Sequence, residues 1–259
     1  MDLIGTIEPV LRNAGEIMRS AHLQREDIIK KSGHQNFVTE YDKKVQAFLE
    51  EKLHELMPDA VFFGEEDDEH DEAVLFSGDV FVIDPIDGTS NFMKGYFPSC
   101  ISVGMLRNGE PYLGLIYVPQ TDEMYTAQKG CGACRNGRAI QSSDEPLARS
   151  LGSFGTAPYY STELRDQAYA LARYYQEKCI DMRRGGSAAY DLCMIAAGAT
   201  GLYVEPVIQL WDYCAGALIA TEAGAAVTDL EGNPLDFRHA SPILAVSRGV
   251  RNEEYFPLL

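Results

Sequence analysis

The segment Asp84-Pro85-Ile86-Asp87-Gly88-Thr89 sets two carboxylates three residues apart, directly after the apolar run Val80-Phe81-Val82-Ile83. Pro85 fixes its own φ and biases Asp84 toward extended backbone, so a rigid turn can aim both carboxylates at one point. Gly88 lets the main chain approach a ligand closely. If Thr89 opens a helical turn, the amides of Gly88 and Thr89 face outward and can hold a phosphate. A hard cation and an anion could then sit side by side. Every residue of the segment also suits a plain strand-ending turn, so the case for chemistry depends on further carboxylates. These are Glu65 and Glu66, after the apolar run Val61-Phe62-Phe63-Gly64; Asp212, beside the single tryptophan Trp211; Asp42; and Glu205. Each has a structural alternative. Asp212 and Asp42 fit helix capping, Glu205-Pro206 fits a surface turn, and Asp67 to Glu72 reads as a solvated loop. Magnesium takes oxygen ligands in octahedral geometry and keeps several waters. No His or Cys cluster beside these carboxylates suggests zinc or iron, and neither a Walker loop nor a Gly-x-Ser-x-Gly elbow occurs. The donor set favours Mg²⁺ and phosphate chemistry over acyl transfer.

These residues need elements to hold them. Ile4, Ile7, Leu11, Ala14, Met18 and Ala21 step by three and four, which predicts an amphipathic helix over 3–21. Val45, Phe48, Leu49, Leu53 and Leu56 predict a second over 40–57, opened by a capping box at Thr39–Asp42 and ended by Pro58. Strands are predicted at 61–63 and 80–83, then at 101–106 and 113–118 around a turn at Asn108-Gly109, with two short strands around the glycines near 130. Beyond residue 150, helices near 163–178, 187–198 and 211–223 alternate with strands near 201–204, 226–227 and 244–246. The pattern is an α+β first half, 1–145, carrying most candidate ligands, and an α/β second half, 146–259, contributing Asp212 and Glu205.

The chain has 259 residues, 46% hydrophobic and 24% charged, which bounds it as a globular protein of one large or two closely packed units. A net charge of −17 repels nucleic-acid phosphates, although bound divalent cations can reverse the field locally. No apolar run approaches the roughly 20 residues that cross a bilayer, and no signal peptide is evident, so a cytoplasmic protein with no membrane partner is expected. On that view the six cysteines are reduced thiols. Cys131-Gly132-Ala133-Cys134 lacks the second ligand pair of a zinc site and reads as a hairpin turn.

The chain resembles the inositol monophosphatase family over nearly its whole length. The matching blocks are Gly64-Glu65-Glu66, DPIDGTSNF at 84–92 and WDYCAGALIATEAGA at 211–225, with Lys31, VTEYD at 38–42 and GGSAA at 185–189 as weaker matches. The resemblance implies a layered α-β-α-β-α sandwich of the inositol monophosphatase or sugar phosphatase type. It implies two to three Mg²⁺ ions: one on Glu65, Asp84 and the Ile86 carbonyl, one on Asp84, Asp87 and Asp212, and a weaker one near Glu65 and Glu66. Amides around Asp87, Gly88 and Thr89 would bind phosphate. Asp42, Thr89 and Glu66 would help a metal-activated water attack. Glu205 and Gly186-Ser187-Ala188 would touch substrate hydroxyls, and Lys31 would lie on a mobile loop. A lithium-sensitive homodimer is also implied.

Ser90-Asn91-Phe92 after Thr89, and Glu205 seven residues before Asp212, resemble the branch acting on inositol phosphates. The implied substrate is a small phosphorylated polyol or sugar, foremost myo-inositol 1-phosphate. Fructose 1,6-bisphosphate, a 3′,5′-bisphosphate nucleotide and histidinol phosphate are the alternatives within the superfamily. Arg183-Arg184 fits a solvated strand end, or a site for a second phosphate. From another class, the chain could be a protein-binding regulatory module whose acidic surface meets a basic partner.

Overall fold

In a computed structural model of the chain, residues 2–22, 28–30, 37–156 and 160–250 are described. Helix α1 (Leu3–Arg19) starts where the Asp2 side chain accepts the Gly5 amide, and it buries Ile7, Leu11, Ala14 and Met18 on one stripe. It ends two residues before the predicted limit. Strands β1 (Ile28–Lys30) and β2 (Phe37–Thr39) form an antiparallel pair absent from the sequence reading. Helix α2 (Glu40–Leu56) opens with the predicted capping box, Thr39 and Asp42 exchanging side-chain and main-chain bonds, and buries Val45, Leu49 and Leu53.

A seven-stranded sheet follows: β3 (Val61–Gly64), β4 (Asp79–Asp87), then, after the short helix α3 (Thr89–Lys94), β5 (Cys100–Arg107), β6 (Glu110–Val118), β7 (Glu123–Gln128), β8 (Ala133–Arg135) and β9 (Arg138–Ile140). Its strands lie in sequence order; β3 and β4 are parallel and the rest antiparallel. The C-x-x-C occupies the β7–β8 hairpin, with Cys131 exposed at the turn and both thiols free.

The second half adds β10 (Leu151–Phe154), α4 (Thr162–Gln176), β11 (Asp181–Arg183), α5 (Ala188–Ala196), β12 (Leu202–Ile208), α6 (Leu210–Glu222), β13 (Ala226–Thr228) and β14 (Ser241–Val246). Its five strands run β11-β10-β12-β14-β13, with β10 parallel to both neighbours and β14 antiparallel to both of its own.

The layers are α1 and α2, the large sheet, α5 and α6, the small sheet, and α4 on the outer face. This is the expected α-β-α-β-α sandwich. Helix α6 lies between two sheets, which explains why its sequence is apolar on every side rather than along one stripe. Two strand glycines let it settle. A Cβ on Gly104 would come 2.5 Å from the Cys214 sulfur, and one on Gly114 would come 2.7 Å from the Ala215 carbonyl oxygen. The close approach seats the N-terminal half of α6, which carries Asp212, against the large sheet.

Candidate active site

Strand β4 does not stop before the Asp-Pro-Ile-Asp segment, as the sequence suggested, but runs through it to Asp87. In a regular strand, residues three apart face opposite sides. Here Asp84 lies opposite Ser102 and Asp87 opposite Cys100, so three steps on β4 match two on β5. The extra residue is a β-bulge, which reverses the alternation and brings both carboxylates to one side. The Ile86 amide donates to Asp84 Oδ1 at 3.0 Å and braces the bulge.

Asp87 is held from the other half of the chain. Its Oδ2 accepts the Ser187 hydroxyl and the Ala189 amide, each at 2.7 Å, at the start of α5. Asp212 is the third residue of α6, and its Oδ2 accepts the Gln209 amide at 2.8 Å. The capping alternative is therefore correct for this residue, and it joins the cluster as well. One oxygen from each of Asp84, Asp87 and Asp212 lies within 4.8 Å of the others.

Asp84 is 1% exposed and Asp87 7%. Burial, and then the charges of Glu65, Asp87 and Asp212, push the Asp84 carboxyl well above its ordinary range. Burial, with Asp87 and Glu65, does the same to Asp212. Asp87 is also raised by burial, against the pull of its Ser187 and Ala189 donors. Such convergence of buried carboxylates is costly unless a cation neutralises it. The donors are all hard oxygens, which fits Mg²⁺.

Glu65 and Glu66 flank this cluster. The Glu65 amide donates to the Ile83 carbonyl, next to Asp84, and the Glu66 charge is felt at Asp42. Asp42 is fully buried, and burial pushes its carboxyl up to about 6 against the bonds from Thr39. Its Oδ1 lies 3.3 Å from the Thr89 hydroxyl, which also lies 3.1 Å from the Ile86 carbonyl. A hydroxyl carries one proton, so Thr89 donates to one of these at a time.

Gly88 has φ +88°, and a Cβ there would come 3.0 Å from the Pro98 carbonyl oxygen and 3.2 Å from that of Gly186. Glycine is required on both counts. Thr89 and Ser90 form the first turn of α3, where main-chain N–H groups have no acceptor within the helix.

Beside this cradle a cleft is lined by Asp87, Gly186, Ser187, Ala188, Glu205 and Asp212, together with Tyr160, Arg184, Asp191 and Tyr203. Glu205 is not on a surface turn. It is 8% exposed within β12, accepts the Tyr203 hydroxyl at 2.6 Å, and occupies space that a Cβ on Gly155 would invade at 1.9 Å.

Of the predicted site residues, Asp84, Asp87 and Asp212 converge, Asp42, Ile86, Gly88 and Thr89 adjoin them, and Gly186, Ser187, Ala188 and Glu205 line the cleft, whereas Glu65 and Glu66 stand beside the three-carboxylate group and not within it, and Lys31 lies outside the described residues. Others were missed. Asn91 donates to the carbonyls of Pro98 and Gly185, tying the cradle to the second half. Tyr160 accepts a bond from Gln209 and lines the cleft, and nothing in the local sequence marks it. Asp191, buried and pushed well up by that burial, lies among the cleft residues on the first turns of α5. The Asp67–Glu72 run is not wholly a solvated loop: Asp67 and His70 both bond to the main chain of Gly64.

A carboxylate cluster drawn from strand β4 and the first turn of helix α6, beside a main-chain anion cradle, is the equipment of a metal-dependent phosphomonoesterase. The family model for the inositol monophosphatase family matches residues 3–257, and the chain belongs to that family. It is 35% identical over 228 residues to inositol monophosphatase 1 of Bos taurus, covering 86% of this chain and 82% of that one. It is also 35% identical over 225 residues to the Nus factor SuhB of Vibrio cholerae, covering 85% and 81%. Among solved structures, a Thermotoga maritima IMPase superposes with a TM-score of 0.85 at 29% identity, covering 99% of this chain and 96% of that one. SaIMPase-II with inositol monophosphate bound gives 0.81 at 28% identity, covering 99% and 94%. The family uses Mg²⁺, in accord with the cluster. Among the described residues no helix is long and apolar enough to cross a membrane.

Proposed function

We propose that the chain hydrolyses the phosphate monoester of a small polyol, foremost myo-inositol 1-phosphate, in an Mg²⁺-dependent reaction. The observation that carries this reading is the meeting of Asp84, Asp87 and Asp212 beside the Gly88–Thr89 cradle, with Glu205 across the cleft. Glu65, Asp84 and the Ile86 carbonyl would hold one Mg²⁺; Asp84, Asp87 and Asp212 a second; Glu65 and Glu66 would flank a third. When bound, Mg²⁺ supplies positive charge for the phosphoryl oxygens and acidifies water.

The chain's own groups do the rest. Amides at Gly88 and Thr89 grip the phosphate. Thr89 donates its proton to Asp42, which leaves its oxygen free to accept one from the attacking water. Burial, with a smaller contribution from the Glu66 charge, keeps the Asp42 proton affinity high. Glu205 accepts ring hydroxyls, and Gly186-Ser187-Ala188 bounds the ring. Monoester hydrolysis is slow enough uncatalysed that roughly 20 kcal/mol of stabilisation is required, and positioned charge is the means available here. Residues 1–145 and 146–259 act as two halves closing on one site. Cytoplasmic location, pairing as a homodimer and inhibition by lithium are extensions of the family resemblance.

The test is a phosphate-release panel of myo-inositol 1-phosphate, fructose 1,6-bisphosphate, adenosine 3′,5′-bisphosphate and histidinol phosphate, each with and without Mg²⁺. The expected result is metal-dependent release with inositol phosphate preferred. Metal-independent release, or none from any of them, rejects the reading. Preference for another member of the panel rejects only the substrate. Likeness to a protein named as a Nus factor favours a second reading, docking to transcription machinery. A complete carboxylate set is needless for docking alone, so hydrolysis ranks first. A stoichiometric partner retained by an inactive Asp87→Asn protein would reverse that order.

A further inference from the structure

We propose that His70 is a positioning residue that locks the Glu65–Glu66 turn to the start of α6, and so sets the affinity of the site for Mg²⁺. The inference rests on the metal-site reading above, since it assigns His70 a role only through Glu65 and Asp212.

The turn leaves β3 at Gly64, the residue before Glu65, and both main-chain groups of Gly64 are held by side chains from the turn itself. Its amide donates to Asp67 Oδ2 at 2.7 Å, and its carbonyl lies 2.8 Å from His70 Nε2. A carbonyl can only accept, so Nε2 carries the proton and donates. On the α2 side, Gln46 donates to Asp67 Oδ1 and accepts the Glu66 amide. On the α6 side the imidazole lies over Trp211, ring centres 4.8 Å apart and planes inclined by 29°, with Phe63 5.1 Å away. Trp211 immediately precedes Asp212.

One imidazole therefore links the residue before Glu65, at the end of β3, to the residue before Asp212, at the start of α6. Glutamine could supply the hydrogen bond, and phenylalanine could supply the stack; histidine supplies both. Contacts behind a metal ligand fix where it points, and their loss costs metal affinity or activity.

The experiment compares Mg²⁺ binding by calorimetry, and the Mg²⁺ concentration for half-maximal phosphate release, in the full-length wild type and in His70→Ala, His70→Phe, His70→Gln and Glu65→Gln. His70→Ala and His70→Phe should each weaken Mg²⁺ binding about 3- to 10-fold, while kcat at saturating Mg²⁺ falls less than about 2-fold. His70→Gln, whose amide reaches where Nε2 does but cannot stack on Trp211, should recover only part of the loss and fall between His70→Ala and the wild type, and full wild-type affinity in it would overturn the link to α6. Wild-type affinity in His70→Phe, or weakening by His70→Gln equal to that by His70→Ala, overturns the proposal. If His70→Ala does not fold, the Phe and Gln variants still decide the matter. Glu65→Gln separates the two levels. If it weakens Mg²⁺ binding while the His70 variants do not, only the role of His70 fails. If it binds Mg²⁺ like the wild type, the metal-site reading fails and the His70 proposal with it.

Discussion

Asp84 and Glu205 are both buried carboxylates in strands that end at the cleft, yet they are held in different ways. Asp84 is aimed by the main chain: a bulge, a proline and the Ile86 amide leave it little freedom, and its nearest charged neighbours are further carboxylates. Glu205 is aimed by side chains and empty space, through the Tyr203 hydroxyl and the missing Cβ of Gly155. The wall from the large sheet is built around charge that a bound cation relieves at neutral pH. The wall from the small sheet is built around shape and hydrogen bonds. Substitutions on the first wall should act on turnover and on stability in opposite directions, and those on the second should act on choice of substrate.

The largest effect is expected at Asp84. Asp84→Asn should lower kcat by about 10³-fold or more, since the proposal gives Asp84 a place in two of the ion sites. The same change removes a buried charge from a like-charged cluster, so the melting temperature of the EDTA-treated protein should rise by about 2–5 °C. A thermal melt showing Asn less stable than Asp would break the electrostatic half of the comparison. Next come Thr89→Val and Asp42→Asn, each expected to lower kcat about 10²-fold with little change in KM. An unchanged kcat in either would remove the pair from the reaction.

On the other wall, Glu205→Gln should shift the ratio of kcat/KM between inositol phosphate and a competing phosphate ester by about 10-fold. Gly155→Ala, which pushes Glu205 aside, should shift it the same way. A fall in kcat for all substrates alike would show that Glu205 belongs with the first wall.

The smallest effect is a pH dependence. Asp42 has its folded pKa raised to about 6, and Asp84, Asp87 and Asp212 are raised too. A raised carboxyl binds its proton more tightly in the folded than in the unfolded chain. Without metal, stability therefore increases as pH falls through the folded pKa, and is lost as pH rises through it. Melting of EDTA-treated protein should move up between pH 8 and pH 6, and the stabilisation by added Mg²⁺ should be greater at pH 8. An Mg²⁺ effect equal at both values would mean that the carboxylates do not bind it.

Much of this was legible in the sequence, and what was not has identifiable causes. The helices at 3–19 and 40–56 announce themselves through long apolar stripes and a capping box. Strands of three or four residues such as β10 and β11 carry too little pattern to register, and they become strands only through pairing with β12 and with each other. The carboxylates were legible as types, but the bulge that puts Asp84 and Asp87 on one side depends on pairing with β5. Asn91 and His70 carry no local signal of a site, because their partners lie in distant segments, at Gly185 and Trp211. Asp212 fits both a cap and a ligand from sequence, and its two oxygens allow it to be both.

The central claim is that carboxylates from both halves form one metal site for phosphate ester hydrolysis. It is tested most directly by titrating Mg²⁺ into wild-type and Asp212→Asn protein while following phosphate release from myo-inositol 1-phosphate. The account predicts no release without Mg²⁺, saturable activation of the wild type, and loss of that activation in Asp212→Asn. Equal activation of the two proteins, or release from the wild type that does not depend on Mg²⁺, would contradict it.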